Sequence, residues 1–289
     1  MHPAPSVIAF TTLSGAGFGM LVWLGLALPL VTGWEAFAYF TVAYLLSVGG
    51  LLASTFHLGH PERAHLAFTQ WRSSWLSREA CAAVAALTVM GAYGAGAVFL
   101  GAQWAILGWL GAALSLVTVF TTAMIYAQLR TVPRWRQPAT PALFLALSLT
   151  GGAILTGNIA AALPLLLLSG GLQIAHWALG DRQFARSGST METATALGPI
   201  GRVRAFAPPH TGRNYLTDEM VFRIGRKHAR RLRALSLAMG SLAPALLLTL
   251  DQSAMVLPVA ASLHLAGVAA SRWLFFAEAE HTVGLYYGR

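Results

Sequence analysis

Long apolar runs dominate this sequence, and they limit its possible folds more than any other feature. A helix rises about 1.5 Å per residue, so roughly 20 apolar residues cross the ~30 Å hydrocarbon core of a bilayer. Only 10% of the 289 residues are charged, well below the roughly 25% that is usual in soluble domains. We therefore predict an all-α, polytopic membrane protein with eight transmembrane helices in a single domain, 1–289. The runs lie at about 6–31, 35–56, 76–100, 103–129, 141–157, 161–180, 233–250 and 254–276.

Positive charge is confined to one end of the predicted bundle. All 19 Lys and Arg residues lie in or next to the long loops and the carboxyl terminus, whereas the short turns carry only Glu35 and Asp251. By the positive-inside rule, both termini and the long basic loops are predicted to be cytoplasmic. Because the net charge of +9 is divided among loops between apolar runs, we interpret it as an orientation signal and not as a nucleic-acid surface.

The longest loop, about 181–232, ends in a predicted basic amphipathic helix. Thr217, followed by two acidic residues, is typical of a helix start, and apolar residues then recur at helical spacing beside a basic face. Such a helix binds lipid headgroups, docks an acidic partner subunit, or does both. The predicted docking residues in this helix and the other basic loops are Arg72, Arg134, Arg136, Arg223, Arg226 and Lys227.

Polar chemistry is concentrated between the second and third apolar runs. His57 ends the second run and Glu79 lies about one turn into the third, so both side chains could approach one pocket at the membrane boundary. A quinone needs this combination, because its carbonyls require hydrogen-bond donors and a group that exchanges protons. The sequence also allows a purely structural interpretation, in which His57 caps its helix and Glu79 pairs with Arg78 or Arg63.

Other redox and transport functions have weaker signals. His176 and His264 lie inside apolar runs and could form a bis-imidazole haem site, although a lone histidine in such a run more often bonds a neighbouring helix. Cys81 is the only cysteine, so any cysteine-ligated iron–sulfur cluster must belong to a partner. A transporter is disfavoured because few ionisable residues lie near the midplane.

Several short motifs occur in order along the chain. They are His57-Leu58-Gly59 with Pro61 and Arg63-Ala64, Ser77-Arg78-Glu79, Thr131-Val132-Pro133, Arg272 with Phe275-Phe276, and His281-Thr282-Val283-Gly284. With these motifs the chain resembles the membrane-anchor subunit of the dimethyl sulfoxide reductase family over essentially its whole length. The resemblance implies an inner-membrane anchor of bacteria that binds ubiquinone or menaquinone and exchanges electrons with an iron–sulfur subunit, itself attached to a molybdopterin catalytic subunit. It also implies that the anchor performs no substrate chemistry.

The resemblance also suggests a quinone site and a substrate. In such anchors the residues matching His57 and Glu79 are implicated in quinol binding or its proton chemistry, and we add His60, Arg63 and Trp71 to the predicted site. In dimethyl sulfoxide reductases the loop with this histidine lies on the outer face, whereas here it is basic. Together with the 181–232 loop, this favours the related cytoplasmic sulfite dehydrogenase, which passes electrons from sulfite to quinone. A dimethyl sulfoxide reductase anchor that oxidises menaquinol is the alternative.

Overall fold

The chain folds into a bundle of apolar helices. The computed structural model describes residues 1–57, 59–207, 209–210, 212, 214–221 and 228–287, with only the backbone of His57 and Pro61. Within these ranges every regular element is a helix, as predicted. The long helices are α1 Pro5–Gly25, α2 Gly33–Ala53, α3 Trp75–Leu100, α4 Ala105–Ala127, α5 Ala139–Leu155, α6 Ile159–Arg186, α7 Ala229–Leu250 and α8 Val256–Ala277.

Seven of these helices, counted over the described residues, are long and apolar enough to cross a membrane. The remaining one, α5, is apolar but has only 17 residues. At about 1.5 Å per residue it spans roughly 25 Å, somewhat less than the hydrocarbon core. The prediction of eight transmembrane helices therefore corresponds to seven long helices and one shorter helix, α5, which is extensively buried among the others.

Both termini meet at one end of the bundle. The amino group of Met1 donates to the carbonyl of Ala279 at 2.9 Å. The backbone N–H of Thr282 donates to the carbonyl of Thr131, in the loop before α5, at 2.9 Å. These contacts bring the amino terminus, the α4–α5 loop and the carboxyl-terminal segment together on the side that carries the basic loops.

Glycines allow α1 to approach its neighbours at backbone distance. A Cβ on Gly152 of α5 would lie 2.2 Å from the carbonyl carbon of Gly19, and one on Gly25 would lie 2.4 Å from the carbonyl oxygen of Gly108 in α4. Without a strong hydrophobic driving force between helices in lipid, such close packing provides much of the association energy. The helix α1 is therefore held between α4 and α5.

Two predicted helix boundaries differ from the observed ones. The helix α1 ends at Gly25 and not near residue 31, because Ala27 adopts a left-handed conformation with φ of 56° and ends the helical path. At the other boundary, α6 continues beyond residue 180 to Arg186, which places Asp181 within its last turns.

The predicted amphipathic helix is described only at its two ends. A short helical turn spans Leu216–Met220, and Asn214 just before it accepts a hydrogen bond at Oδ1 from the N–H of Thr217 at 2.9 Å. The helix α7 then begins at Ala229, so the last part of the basic run forms the first turns of a long apolar helix. Three predicted docking residues lie outside the described residues, and their role stays a prediction. They are Arg223, Arg226 and Lys227.

Candidate functional site

Glu79 is a buried acid near the start of α3. Ser74 caps this helix by accepting a hydrogen bond from the N–H of Ser77 at 3.4 Å, which places Glu79 just beyond the first turn. Its side chain is 4% exposed, and the Thr122 hydroxyl of α4 hydrogen-bonds to Oε1. Tyr126, one turn further along α4, lies within electrostatic reach of the carboxyl group. Glu79 thus faces the bundle interior.

Arg78 does not pair with Glu79. Its Nε donates to the carbonyl of Trp71 at 2.9 Å, and its Nη2 donates to the carbonyl of Arg72 at 2.7 Å. The guanidinium also stacks over the Trp75 ring at 4.3 Å. Arg78 therefore joins the α2–α3 loop to α3 and is not the ion-pair partner of Glu79.

Thr122 can hold a proton in two arrangements with Glu79. Its Oγ1 lies 2.9 Å from the carbonyl of Thr118 and also contacts Glu79. A hydroxyl has one hydrogen and can accept through its lone pairs. When that hydrogen points to the Thr118 carbonyl, Glu79 must be protonated, so that its carboxyl group donates to the Thr122 oxygen. When the hydrogen points to Glu79, the carboxyl group accepts it. The pair is thus suited to gaining or losing a proton.

A narrow polar cavity begins at Thr122 and lies between α1, α4, α5 and α8. It admits water-sized molecules but little larger. Its lining is unusually rich in hydroxyls for a bundle of apolar helices. The polar lining residues are Thr11, Thr12, Ser14, Thr122, Ser148, His264 and Arg272.

Arg272 is the cation of this cavity. It lies near the end of α8, is 2% exposed, and its Cζ lies 3.4 Å from the centre of the Phe144 ring. In the described part of the chain, neither its Nε nor the Thr12 Oγ1 has a hydrogen-bond partner, although both atoms are buried. Buried polar groups without partners are costly, so this arrangement requires a functional explanation.

The predicted loop residues of the site lie at the surface. His60 Nδ1 is 2.9 Å from the Glu62 carboxylate, Arg63 is exposed, and Trp71 is 54% exposed. The structure does not bring His60, Arg63 or Trp71 into the cavity beside Glu79. The backbone of His57 ends a short turn, Ser54–His57, directly after α2. The His57 side chain lies outside the described residues, so its approach to Glu79 stays a prediction.

Of the described docking residues, two are exposed and one is buried. Arg72 and Arg136 are exposed, and Arg72 stacks on Trp71 with 5.3 Å from its Cζ to the ring centre. Arg134 is only 9% exposed and donates to Asp181 at 2.8 Å and to Glu278 at 2.9 Å. The charge of Arg134 is thus used inside the bundle, and its predicted contact with a partner subunit stays a prediction.

Arg233 completes an ion-pair ring, which we define as Arg134, Asp181, Arg233 and Glu278. Its Nε donates to Glu278 at 2.7 Å and its two Nη atoms donate to Asp181 at 2.9 and 2.7 Å. Each carboxylate thus bridges both guanidinium groups. The ring joins the α4–α5 loop to the ends of α6 and α8 and the start of α7, and so fixes the basic end of the bundle.

The interior histidines both contact neighbouring helices, and His176 Nδ1 is buried without a hydrogen-bond partner in the described residues. The haem alternative stays a prediction. His264 Nδ1 lies 2.6 Å from the carbonyl of Gly240, and its Nε2 lies 3.4 Å from that of Leu147. His176 Nε2 lies 3.3 Å from the Thr140 hydroxyl, and its ring packs on Phe275. Both nitrogens of His264 face backbone oxygens, which leaves neither directed at an iron.

Comparison with known proteins gives the family. The family model described as DMSO reductase anchor subunit (DmsC) matches residues 1–165, more than half of the chain. The chain belongs to this anchor family. A sulfite dehydrogenase subunit of Allochromatium vinosum is 34% identical over an alignment of 333 positions, gaps included, which covers 99% of this chain and 99% of that protein. The resemblance predicted from the motifs is therefore confirmed, and with it the role of a membrane anchor of an oxidoreductase.

The segment that matches the anchor family model contains Glu79, Thr122 and Thr12, whereas Arg272 lies beyond residue 165. Among these residues, only Glu79 was predicted as part of the site. The sequence does mark Arg272 as a functional candidate, since an arginine within an apolar run is rare and usually functional. No feature of the sequence distinguishes Thr12 and Thr122, because hydroxyl residues are common in packed membrane helices and only tertiary structure brings these two to one cavity.

Proposed function

We propose that this chain is the quinone-binding anchor of a molybdenum and iron–sulfur oxidoreductase and passes electrons between a partner iron–sulfur subunit and the quinone pool. The observation that carries this proposal is the buried carboxyl of Glu79, paired with the Thr122 hydroxyl near the basic end of the bundle. A quinone supplies two-electron, two-proton chemistry when bound. Glu79 can hold a proton for it at the membrane boundary, where a buried acid is otherwise costly.

An apolar groove lies between α2 and α3, and its lining on α3 begins at Gly91, about three turns beyond Glu79. It has about 1140 Å³ of free space and opens along the outer surface of the bundle. Three of its lining residues, Gly49, Gly91 and Gly94, have no side chains to fill it. The Tyr44 hydroxyl bridges the two helices by donating to the carbonyl of Leu87 at 2.5 Å. The groove provides an apolar surface for a quinone tail, and its walls are the two helices that carry Glu79 and lead to His57.

The partner is proposed to dock at the end of the bundle where the termini meet. Exposed Arg72 and Arg136 lie there, and Trp71 adds a large aromatic surface. An acidic iron–sulfur subunit would complement this charge, and aromatic and arginine residues are enriched at such interfaces. Docking there would place its nearest cluster on the side of the membrane that holds Glu79.

Orientation and substrate complete the proposal. By the positive-inside rule, the basic end faces the cytoplasm of a bacterial inner membrane, so the catalytic and iron–sulfur partners are cytoplasmic. The similarity to a sulfite dehydrogenase subunit along the whole chain favours sulfite as the electron donor and quinone as the acceptor. The direction from menaquinol to dimethyl sulfoxide is the alternative that the family name allows.

The test is purification of the chain from its native membrane in mild detergent, with mass spectrometry of its partners and extraction of quinone. We expect a molybdopterin subunit, an iron–sulfur subunit and quinone. Sulfite-to-quinone turnover should fall on the order of 10²-fold or more in Glu79→Gln and in His57→Ala. Glu35→Gln, an exposed acid at the opposite end of the bundle, is the matched control. Absence of quinone, with turnover intact in both variants, would contradict the proposal.

A further inference from the structure

Three of the hydroxyls that line the polar cavity already donate their hydrogens to backbone carbonyls. Thr11 donates to the carbonyl of Val7 at 2.9 Å, and Ser14 donates to that of Phe10 at 2.6 Å. Ser148 donates to the carbonyl of Gly15 across the α1–α5 contact. Each hydroxyl has a single hydrogen, so what these residues still offer a ligand is lone pairs.

Donors come from the other side of the same cavity. Arg272 Nε can only donate a hydrogen bond. The Thr12 hydroxyl has no partner within the described residues and can either donate or accept a hydrogen bond. A suitable ligand must therefore accept from the guanidinium and donate to several hydroxyl oxygens. Water does both, whereas a halide or another small anion only accepts and would meet oxygen lone pairs. The narrow space also suits water better than a polyatomic ligand.

We propose that the cavity holds a small cluster of ordered water molecules that joins Arg272 and Thr12 to Thr122 and carries protons to and from Glu79. Thr122 is the link, because it lines the cavity and also contacts the Glu79 carboxyl. The direction in which the relay runs rests on the proposed function, since quinone reduction takes up protons and quinol oxidation releases them.

The relay step is a proton transfer without electron transfer. A water that carries an excess proton donates it to Thr122 Oγ1 while the hydroxyl passes its own hydrogen to Glu79. The carboxylate becomes a carboxylic acid, and Thr122 is a hydroxyl again after the step. The Arg272 charge keeps the adjacent water oriented with its oxygen toward the guanidinium, so its hydrogens point toward the hydroxyl oxygens. Arg272 is thus a positioning residue.

The first part of the test is a cryo-electron microscopy map of the intact complex in lipid nanodiscs, at a resolution that shows bound water. We expect density within hydrogen-bond distance of both Arg272 Nε and Thr12 Oγ1. A second map after bromide exchange identifies an anion, since bromide would strengthen the density. A dry cavity, or an anion there, overturns the proposal.

The second part compares Thr122→Val, which removes the hydroxyl, with Thr122→Ser, which keeps it. In the purified complex, sulfite-to-quinone turnover should fall by about tenfold or more in Thr122→Val and stay near the wild-type rate in Thr122→Ser. Thr118→Val removes a buried hydroxyl one turn earlier on α4, outside the cavity, and should not slow turnover. Thr12→Val should slow turnover as Thr122→Val does. The relay therefore remains testable if one of these two variants fails to fold.

Infrared spectroscopy separates this proposal from the proposed function. The carbonyl band of protonated Glu79, assigned by its loss in Glu79→Gln, should exchange with D2O more slowly in Thr122→Val than in Thr122→Ser. This measurement needs no quinone. Equal exchange and equal turnover in the two variants would reject the relay while the quinone site stands. A wild-type complex that binds no quinone would reject the proposed function while the water site stands.

Discussion

Glu278 accepts a hydrogen bond from Arg134 at 2.9 Å, although the two residues lie 144 positions apart in the sequence. With Asp181 and Arg233 they form the ion-pair ring, in which Glu278 is 7% exposed and Arg134 is 11% exposed at the side chain. Removing one partner of a buried ion pair leaves the other charge uncompensated, which is costly. The ring therefore contributes to stability mainly through the penalty for breaking it.

Arg134→Ala should lower the free energy of unfolding by about 3–5 kcal/mol. Thermal unfolding of the purified protein in mild detergent, followed by tryptophan fluorescence, measures the change. Arg136→Ala removes an exposed arginine two positions away and should change the stability by no more than about 0.5 kcal/mol. Equal melting temperatures for the two variants would mean that the ring does not stabilise the fold.

Charge reversal at Arg72 and Arg136 should release the partner without unfolding the anchor. Both side chains are exposed, so Arg72→Glu with Arg136→Glu replaces attraction by repulsion toward an acidic subunit. Co-purification of the iron–sulfur subunit at several salt concentrations measures the effect, and release should occur at lower salt than in the wild type. Arg204→Glu, an exposed arginine in the long loop, is the control, and equal release in that variant would point to non-specific charge attraction.

Gly152→Ala should disrupt the contact between α1 and α5. The new Cβ would lie 2.2 Å from the Gly19 carbonyl carbon and 2.5 Å from the Met20 nitrogen, and backbone atoms cannot move aside as a side chain can. Overpacking of this kind costs about 1–3 kcal/mol or more. Gly171→Ala is the control, because a Cβ there would meet no atom of a neighbouring element within 4 Å. Thermal unfolding should show a lower melting temperature only for Gly152→Ala.

Acid should loosen the carboxyl-terminal segment through His281. Burial, together with the positive amino terminus, lowers the pKa of His281 below its ordinary 6.5, and Nδ1 accepts from the N–H of Val283 at 3.0 Å, which requires that nitrogen to be unprotonated. The docked segment thus favours neutral His281. Its stability is complete above about pH 6.5 and decreases as the pH falls below the value of the undocked histidine.

Amide hydrogen exchange measures this pH dependence. The protection factor of Val283 should be lower at about pH 5.5 than at about pH 7.5, after correction for the intrinsic exchange rate. In His281→Gln, which cannot be protonated in this range, the protection factor should be similar at both pH values. A wild-type protection factor that does not change with pH would contradict the assignment.

The helices were predictable from sequence because hydropathy and local caps determine them. Even the least obvious boundary, between α5 and α6, agrees with local chemistry: Gly157 has a φ of 70°, and Asn158 caps α6 by accepting from the N–H of Ala161 at 3.2 Å. The early end of α1 was not predictable, since the residue that adopts a left-handed conformation there is an alanine, Ala27.

The site was predictable only in part, because its contacts join distant segments. Glu79 was identified from its position beside a polar loop, but its partner Thr122 is 43 residues away. Arg134 lies in a basic loop, where an arginine is usually solvated, and nothing near it in the sequence indicates the two acids that bind it. Hydropathy identifies which segments enter the membrane, but not which faces of these segments meet.

The order of translation determines when the ion-pair ring can be completed. The ribosome makes its members in the sequence Arg134, Asp181, Arg233, Glu278, so two guanidinium groups share one carboxylate until α8 has been translated. Glu278, the residue directly after α8, supplies the missing negative charge. A nascent chain without it holds an excess cation between its inserted helices, and this end of the bundle closes only when the eighth helix has left the ribosome.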